Sequence, residues 1–178
     1  MTVSPNLEGT AMSQPKMQIF RGADAPSLVE AACMSLEATT PFQQEGMRKM
    51  IDAGMLEGDE VRVLVSIPGF SLTYAWFKPD YPLPLHSHDA DCLYYVIAGS
   101  LQLGTESLGP RDSFFLPAGA PYSYRPGPQG VEVLEFRHAT EFNFSNHAKN
   151  AAFFSRAVET IAASREDWRL AKRPSEPA

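Results

Sequence analysis

The sequence is poor in cysteine and in positive charge, and both shortages exclude classes of protein. Its 178 residues include two cysteines, and 15 Lys and Arg stand against 21 Asp and Glu, for a formal net charge of −6. Two cysteines are too few for a disulfide scaffold and fit a reducing cytoplasm. The acidic balance argues against a nucleic-acid surface or a polybasic membrane patch, because both need clustered cations.

Long apolar runs are also missing. No run approaches the roughly 18 residues that a membrane span needs. The N-terminus has no basic start followed by an apolar block, so we expect no secretory signal. A chain of this length with 44% hydrophobic residues is typical of one globular domain with a buried core. We therefore expect a cytoplasmic protein that contacts neither membrane nor nucleic acid.

The hydrophobic pattern changes period along the chain. In the first helical stretch, Leu28, Val29, Ala32 and Leu36 recur at helical spacing after Pro26. A second short helix is predicted after Pro41. The pattern divides the chain into a loose N-terminal arm (1–25), a helical segment (26–58), a β region (59–143), a C-terminal helix (144–171) and a disordered tail (172–178).

The β region consists of short alternating runs separated by Gly and Pro. Such spacing is typical of an antiparallel barrel or sandwich, so we predict an all-β core between short N-terminal helices and a C-terminal helix. The predicted strands are 61–67, 71–78, 92–97, 100–103, 112–116 and 131–137.

His86 and His88 form the sharpest local feature. Side chains two apart on a strand point to the same face, so both imidazoles can converge on one point. Two convergent imidazoles supply half of a mononuclear metal site. Taken alone, a His-x-His can also be a pair of solvent-facing loop residues.

The surrounding sequence resembles the cupin superfamily. Its first motif runs Gly, five residues, His-x-His, three or four residues, Glu, six residues, Gly, and here both histidines and Gly99 match in type and spacing. In the second motif, Asp112, Pro117 and Gly119 match the usual turn residues. The resemblance covers residues 61–138 and implies a jelly-roll barrel, that is, a double-stranded β-helix.

The departures from the motifs decide what the resemblance implies for the site. Cys92 stands at the place of the family's Glu ligand and Tyr122 at the place of its third His, while Asp80 and Arg111 replace the opening glycines. We expect one divalent transition metal held by His86 and His88 and completed by Cys92, Tyr122 or both, with water. Iron is the first expectation, and Zn, Ni, Cu and Mn are the alternatives.

Two other interpretations of Cys92 are open. The thiol dioxygenases, which are themselves cupins, have a Cys after the His-x-His that is joined to a Tyr beside the iron, and the segment 86–92 is similar to that arrangement. They also keep a third His, which Tyr122 replaces here. A cysteine within a strand is otherwise often a small buried hydrophobe.

Alternation predicts which aromatic residues face the site. Cys92, Tyr94 and Val96 should share the face of the histidines, and Tyr122 and Tyr124 should share another. We therefore expect Tyr94, Tyr122 and Tyr124 to be pocket and catalytic residues. An apolar pocket with phenol hydroxyls suits a small, apolar or aromatic substrate with metal-chelating oxygens.

Three functions remain open on this basis. The first expectation is a dioxygenase-like oxidoreductase, because neutral imidazoles leave a ferrous ion able to bind both a substrate anion and O2. A metal-assisted lyase or isomerase with Tyr122 or Tyr124 as proton donor is the alternative within the enzyme class. The missing Glu and His favour a non-catalytic ligand-binding or regulatory cupin. The resemblance also implies a homodimer.

Overall fold

The computed structural model describes residues 16–177, which form two β-sheets and three α-helices. The helices are α1 (Leu28–Ala31), α2 (Pro41–Ala53) and α3 (Ala151–Leu170). The strands are β1 (Met34–Leu36), β2 (Asp59–Ile67), β3 (Phe70–Phe77), β4 (His86–Ser87), β5 (Cys92–Leu103), β6 (Glu106–Leu108), β7 (Ser113–Leu116), β8 (Arg125–Arg137) and β9 (Phe142–Asn146).

The two sheets enclose one interior. The larger sheet has the order β2-β3-β8-β5-β6, and β7 also pairs with β5; the smaller sheet has the order β1-β9-β4. A single bridge between His86 and Tyr122 continues the smaller sheet towards the segment before β8. The result is the expected all-β, jelly-roll core with short N-terminal helices and a C-terminal helix.

Alternation along the strands sets the inner face. Cys92, Tyr94 and Val96 are buried, whereas Leu93 and Tyr95 between them are exposed. Across adjacent strands, Tyr94 lies opposite both Glu135 on β8 and Phe114 on β7. Polar and aromatic side chains therefore enter the interior at the same level.

The strand β5 is longer than its two predicted parts. Residues 92–97 and 100–103 form one strand whose register shifts on both sides of Gly99. Gly99 has φ +71°, and a Cβ there would lie 2.2 Å from the Gly130 carbonyl oxygen. The turn signal at Gly99 is thus a bulge within a continuous strand, since a glycine admits this close approach.

The first predicted helix is much shorter than its pattern. The helix α1 ends at Ala31, because the next residue, Ala32, has a left-handed φ of +50°. The following residues Met34–Leu36 instead pair in parallel with Phe142–Phe144 of β9. Tertiary pairing here overrides a helical pattern that is less than three turns long.

The two longer helices pack on each other beside the barrel. Thr40 caps α2 in a reciprocal arrangement with Gln43, and Pro41 takes the first helical position. Asn150 caps α3 through a bond from the Ala152 backbone N–H. The buried face of α3 includes Phe154, Ala157, Ile161 and Trp168.

The residues after α3, predicted as a disordered tail, make ordered contacts with the larger sheet. Arg173 pairs with Glu60 at 2.5 Å and its guanidinium lies over the Trp76 ring. The Ser175 backbone N–H and hydroxyl both donate to Glu132, which is 2% exposed. These hydrogen bonds satisfy the buried carboxylate of Glu132. Residues 173–175 are therefore ordered against the sheet, contrary to the disordered tail that the sequence predicts.

The N-terminal arm lies partly outside the described residues. Within it, Met17, Ile19 and Phe20 are exposed. The homodimer that the resemblance implies stays a prediction. None of the helices within residues 16–177 combines the length and the apolar character that a membrane crossing requires.

Candidate functional site

A cavity of about 160 Å³ lies inside the barrel, between the two sheets. Its wall is mostly apolar and aromatic, with a small set of polar side chains. Such a composition is typical of sites for small organic ligands. The polar and ionisable residues in the wall are Asp59, Tyr81, His86, His88, Tyr122, Tyr124, Glu135 and Arg137.

The two histidines meet in this wall with their rings fixed. The ring centroids of His86 and His88 lie 5.0 Å apart. The Nδ1 of His86 lies 2.8 Å from the Pro84 carbonyl oxygen, and the Nδ1 of His88 bonds to the Asn143 carbonyl oxygen. Because a carbonyl oxygen only accepts, each Nδ1 carries the ring proton and each Nε2 keeps its lone pair.

Backbone pairing places these rings. His86 and Tyr122 exchange two backbone hydrogen bonds, of 3.0 and 2.8 Å. After His88, the chain is fastened to β9 by reciprocal bonds between Asp89 and Asn143. The His86 ring also stacks on Phe144 at 4.7 Å. Both imidazoles are thus held by the backbone and by packing before any ligand arrives.

Burial keeps the pair neutral. Burial lowers the pKa of His86 to about 3, against the opposing bond to Pro84, and it also lowers the pKa of His88. A neutral imidazole with a free Nε2 is the form that binds a metal ion. The carbonyl bonds on Nδ1 are the kind of support that orients metal-ligating histidines.

Besides the two histidines, the site contains a group of tyrosine hydroxyls. Tyr122 and Tyr124 line the cavity, and the Tyr122 ring lies 4.3 Å from that of His86. Tyr94 is not part of the wall, but its hydroxyl forms a hydrogen bond with the Tyr122 hydroxyl. Burial raises the pKa of all three phenols, so they are protonated and can donate.

The site also contains an ion pair between Glu135 and Arg137. Arg137 Nη2 lies 2.7 Å from Glu135 Oε2, and the Arg137 side chain is 1% exposed. The guanidinium also lies 4.1 Å from the centroid of the Phe142 ring. A buried cation is tolerated only with such partners.

Asp59 closes the cavity at the start of β2, and sequence reasoning missed it. Burial raises the pKa of Asp59 to about 6, against the opposing effects of a Tyr81 hydrogen bond and the Lys78 charge. No motif marks Asp59, because the charge run 56–62 in which it lies has the composition of an ordinary solvated turn. A carboxyl of raised pKa in a cleft is a candidate for proton transfer.

Cys92 is not brought to the histidines. It is 2% exposed and lies opposite Arg137 and Leu116 in the sheet, outside the cavity wall. Burial raises its pKa to about 12, so the side chain is a protonated thiol in the metal-free protein. Within residues 16–177, no group of three or more His, Cys, Asp or Glu is arranged to hold a metal ion.

The donor set nevertheless fits a metal through two ligands. His86 and His88 supply two neutral imidazoles, and Tyr122, whose ring lies 4.3 Å from that of His86, adds a phenol on the same wall. A metal held by two imidazoles keeps positions for water and for a substrate oxygen.

Comparisons with known proteins find likeness in structure only. No protein-family model and no curated protein matches the sequence. The chain is similar to the polyketide cyclase RemF from Streptomyces resistomycificus, with a TM-score of 0.55 and 20% identity over 84% of this chain and 98% of that one. A weaker likeness links it to an RmlC-like cupin from Shewanella frigidimarina, with a TM-score of 0.41 and 20% identity over 46% and 76% of the two chains. These likenesses concern the fold.

Proposed function

This chain has the cupin fold, and on that premise we propose that it is a metal-dependent enzyme acting on a small, largely apolar carbonyl compound. The reaction class is proton transfer next to the carbonyl, as in a lyase, isomerase or cyclase. The observation that carries the proposal is the pair of neutral imidazoles, each with its Nδ1 bound to a carbonyl and its Nε2 lone pair free. The Tyr122 phenol lies against this pair.

His86 and His88 would hold the metal. When bound, a divalent metal supplies Lewis acidity, which polarises a carbonyl oxygen and lowers the barrier to forming an enolate. The remaining protein contribution comes from groups that hold protons. Tyr122 donates a proton from its hydroxyl, supported by Tyr94 through the bond between their hydroxyls. The carboxylate of Asp59, on the same cavity wall, receives the proton that leaves the carbon next to the carbonyl.

The cavity wall selects the substrate. Its apolar side chains exclude water and favour a flat, apolar molecule, while the few polar groups fix its orientation. Tyr122 lines this cavity, and a protonated phenol suits proton transfer better than electron transfer. This is why we place proton transfer ahead of the oxygenation expected from the sequence.

Metal binding is tested by reconstituting the purified chain with Fe(II), Zn(II), Ni(II), Cu(II) or Mn(II) and measuring stoichiometry by elemental analysis. The wild type should bind one ion per chain, and the His86→Ala/His88→Ala variant should bind none. His138→Ala is the matched control, because His138 is an exposed histidine outside the cavity. Equal loading of the double variant and the wild type would refute the metal site. No loading of the wild type would favour the binding-protein alternative.

The reaction class is tested with the metal-loaded protein and a series of aryl methyl ketones in D2O. Exchange of the protons next to the carbonyl, followed by NMR, should exceed that of buffer. Tyr122→Phe should slow it by roughly 10²-fold, the usual contribution of a positioned acid or base. Tyr95→Phe, on the outer face, should leave it unchanged. Absence of exchange, together with oxygen consumption that depends on the substrate, would establish oxygenation instead.

A further inference from the structure

A groove open to solvent lies between the helix α3 and the neighbouring ends of β5 and β8. Its volume is about 540 Å³, against about 160 Å³ for the barrel cavity. Ligand sites in proteins commonly measure roughly 300–1,000 Å³, so this groove can hold a small organic molecule. We call it the α3 groove, and its walls are formed by residues 80–83, by 102 and 104, by 123–125, and by 153, 156, 157 and 160.

The two long walls of the α3 groove each carry an arginine. Phe153, Arg156 and Thr160 are three or four residues apart, so they lie on one face of α3. On the opposite wall, Arg125 at the start of β8 pairs directly with Gln102 on β5. The pairing of two strands and the period of one helix therefore bring two guanidinium groups to the same groove.

Neither arginine is used to hold the fold together. Within residues 16–177, no ion pair joins Arg125 or Arg156 to a carboxylate. By contrast, Arg165 and Arg169 further along α3 both pair with Glu57. The two groove arginines are exposed, and their N–H donors face water and the groove.

The charge of the α3 groove differs in sign from that of the whole chain. Its walls contain two arginines and one carboxylate, that of Asp80, which leaves one net positive charge. The chain as a whole has a formal net charge of −6. A cleft lined by the opposite sign concentrates the matching ion locally, so an anion is favoured here over the rest of the surface.

Apolar side chains form the floor of the α3 groove. Tyr81, Leu83 and Tyr124 line both the groove and the barrel cavity. Tyr81 and Tyr124 are 5% and 4% exposed, so they close the wall between the two spaces. A ligand in the groove would therefore rest on an apolar floor without reaching the histidines.

We propose that the α3 groove is a second ligand site, which binds an organic oxyanion through Arg125 and Arg156. The guanidinium fork matches the two oxygens of a carboxylate or a phosphate, and the floor receives the apolar body of the same molecule. The ligand class is an aryl or alkyl carboxylate or phosphate monoester. This site is independent of the metal and of the reaction proposed for the barrel cavity.

The experiment is an NMR titration of the metal-free full chain with phenyl phosphate, benzoate, neutral benzamide and inorganic phosphate. The better of the two aryl anions should bind about tenfold more tightly than benzamide, the combined effect of two exposed ion pairs. It should also bind more tightly than inorganic phosphate, which has no apolar body. The amide signals that move should be those of 123–125 and of the α3 residues 153–160. Comparing phenyl phosphate with benzoate identifies which oxyanion the site prefers.

The Arg125→Gln/Arg156→Gln variant removes both charges and keeps long polar side chains. It should bind the preferred anion no better than benzamide, and its melting temperature should equal that of the wild type because neither arginine has an ion-pair partner. The matched control is Arg21→Gln/Arg111→Gln, which makes the same change in net charge at two exposed arginines outside the α3 groove. This control should keep the wild-type affinity for the anion.

Four results would overturn the α3 groove as an oxyanion site. They are no saturable binding of either aryl anion at millimolar concentration, equal binding of benzamide, equal loss of affinity in the control variant, and signal changes at 86–88 instead of the groove. Binding of inorganic phosphate as tight as that of phenyl phosphate would overturn the role of the apolar floor. Metal loading of His86 and His88 is measured separately, so either proposal can fail alone.

Discussion

Asp59 should make the stability of the protein depend on pH between 4 and 7. Its carboxyl lines the cavity, and burial raises its pKa from the ordinary 3.8 to about 6. A raised pKa means that the folded state favours the neutral acid. Below pH 3.8 the acid is neutral in both states and contributes no penalty. As pH rises towards 6 and above, the unfolded state gains by ionising and the folded protein loses stability.

The size of the effect follows from the shift. A shift of about two pKa units corresponds to about 3 kcal/mol, since each unit is worth about 1.4 kcal/mol. Asn has nearly the shape of Asp and does not ionise. Asp59→Asn should therefore unfold with the wild-type free energy near pH 4 and with up to about 3 kcal/mol more above pH 6.5.

Urea unfolding of both proteins at half-unit steps from pH 4 to pH 8 measures this difference. Subtracting the two curves cancels every other titrating group that the two proteins share. Asp52→Asn on the surface of α2 controls for the loss of one negative charge. A difference that is constant with pH would refute the reasoning, and so would a variant that is less stable than the wild type above pH 6.5.

Two further predictions concern packing and charge in the core. Gly46→Ala should destabilise the protein by about 1–3 kcal/mol in urea unfolding, because its Cβ would lie 2.5 Å from the Phe154 ring between α2 and α3. An unchanged midpoint of urea unfolding would contradict this, because it would mean that the two helices can move apart without a loss of stability. Glu135→Gln should cost about 3–5 kcal/mol by leaving the buried Arg137 without its carboxylate, whereas Glu135→Leu/Arg137→Met should recover most of that loss. A double variant as unstable as the single one would contradict this account.

The larger sheet could be predicted from the sequence because its strands alternate and end at Gly or Pro. The smaller sheet could not. Its strand β1 covers three residues with a helical pattern, and β4 covers two. These strands form through pairing with β9, which is more than 100 residues beyond β1 in the chain. Local propensity carries no information on such a partner.

The same limit applies to the site. The spacing of His86 and His88 predicts that they share a face, because residues two positions apart on a strand point to the same side of the sheet. The position of Cys92 also predicts an inward side chain, but not which part of the interior it reaches. The placement of Ser71 opposite Arg137 and of Thr73 opposite Glu135 depends on the register between β3 and β8, which no short motif encodes.

The groups that would bind a ligand here lie at backbone positions that the sheets already fix. The rings of His86 and His88 are held by carbonyl bonds, and Arg137 is held by Glu135 and the Phe142 ring. Rigid placement reduces the entropy that ligand binding would otherwise cost, but it leaves buried donors unpaired in the free protein. Stability is therefore lower than the same barrel would reach with an apolar wall.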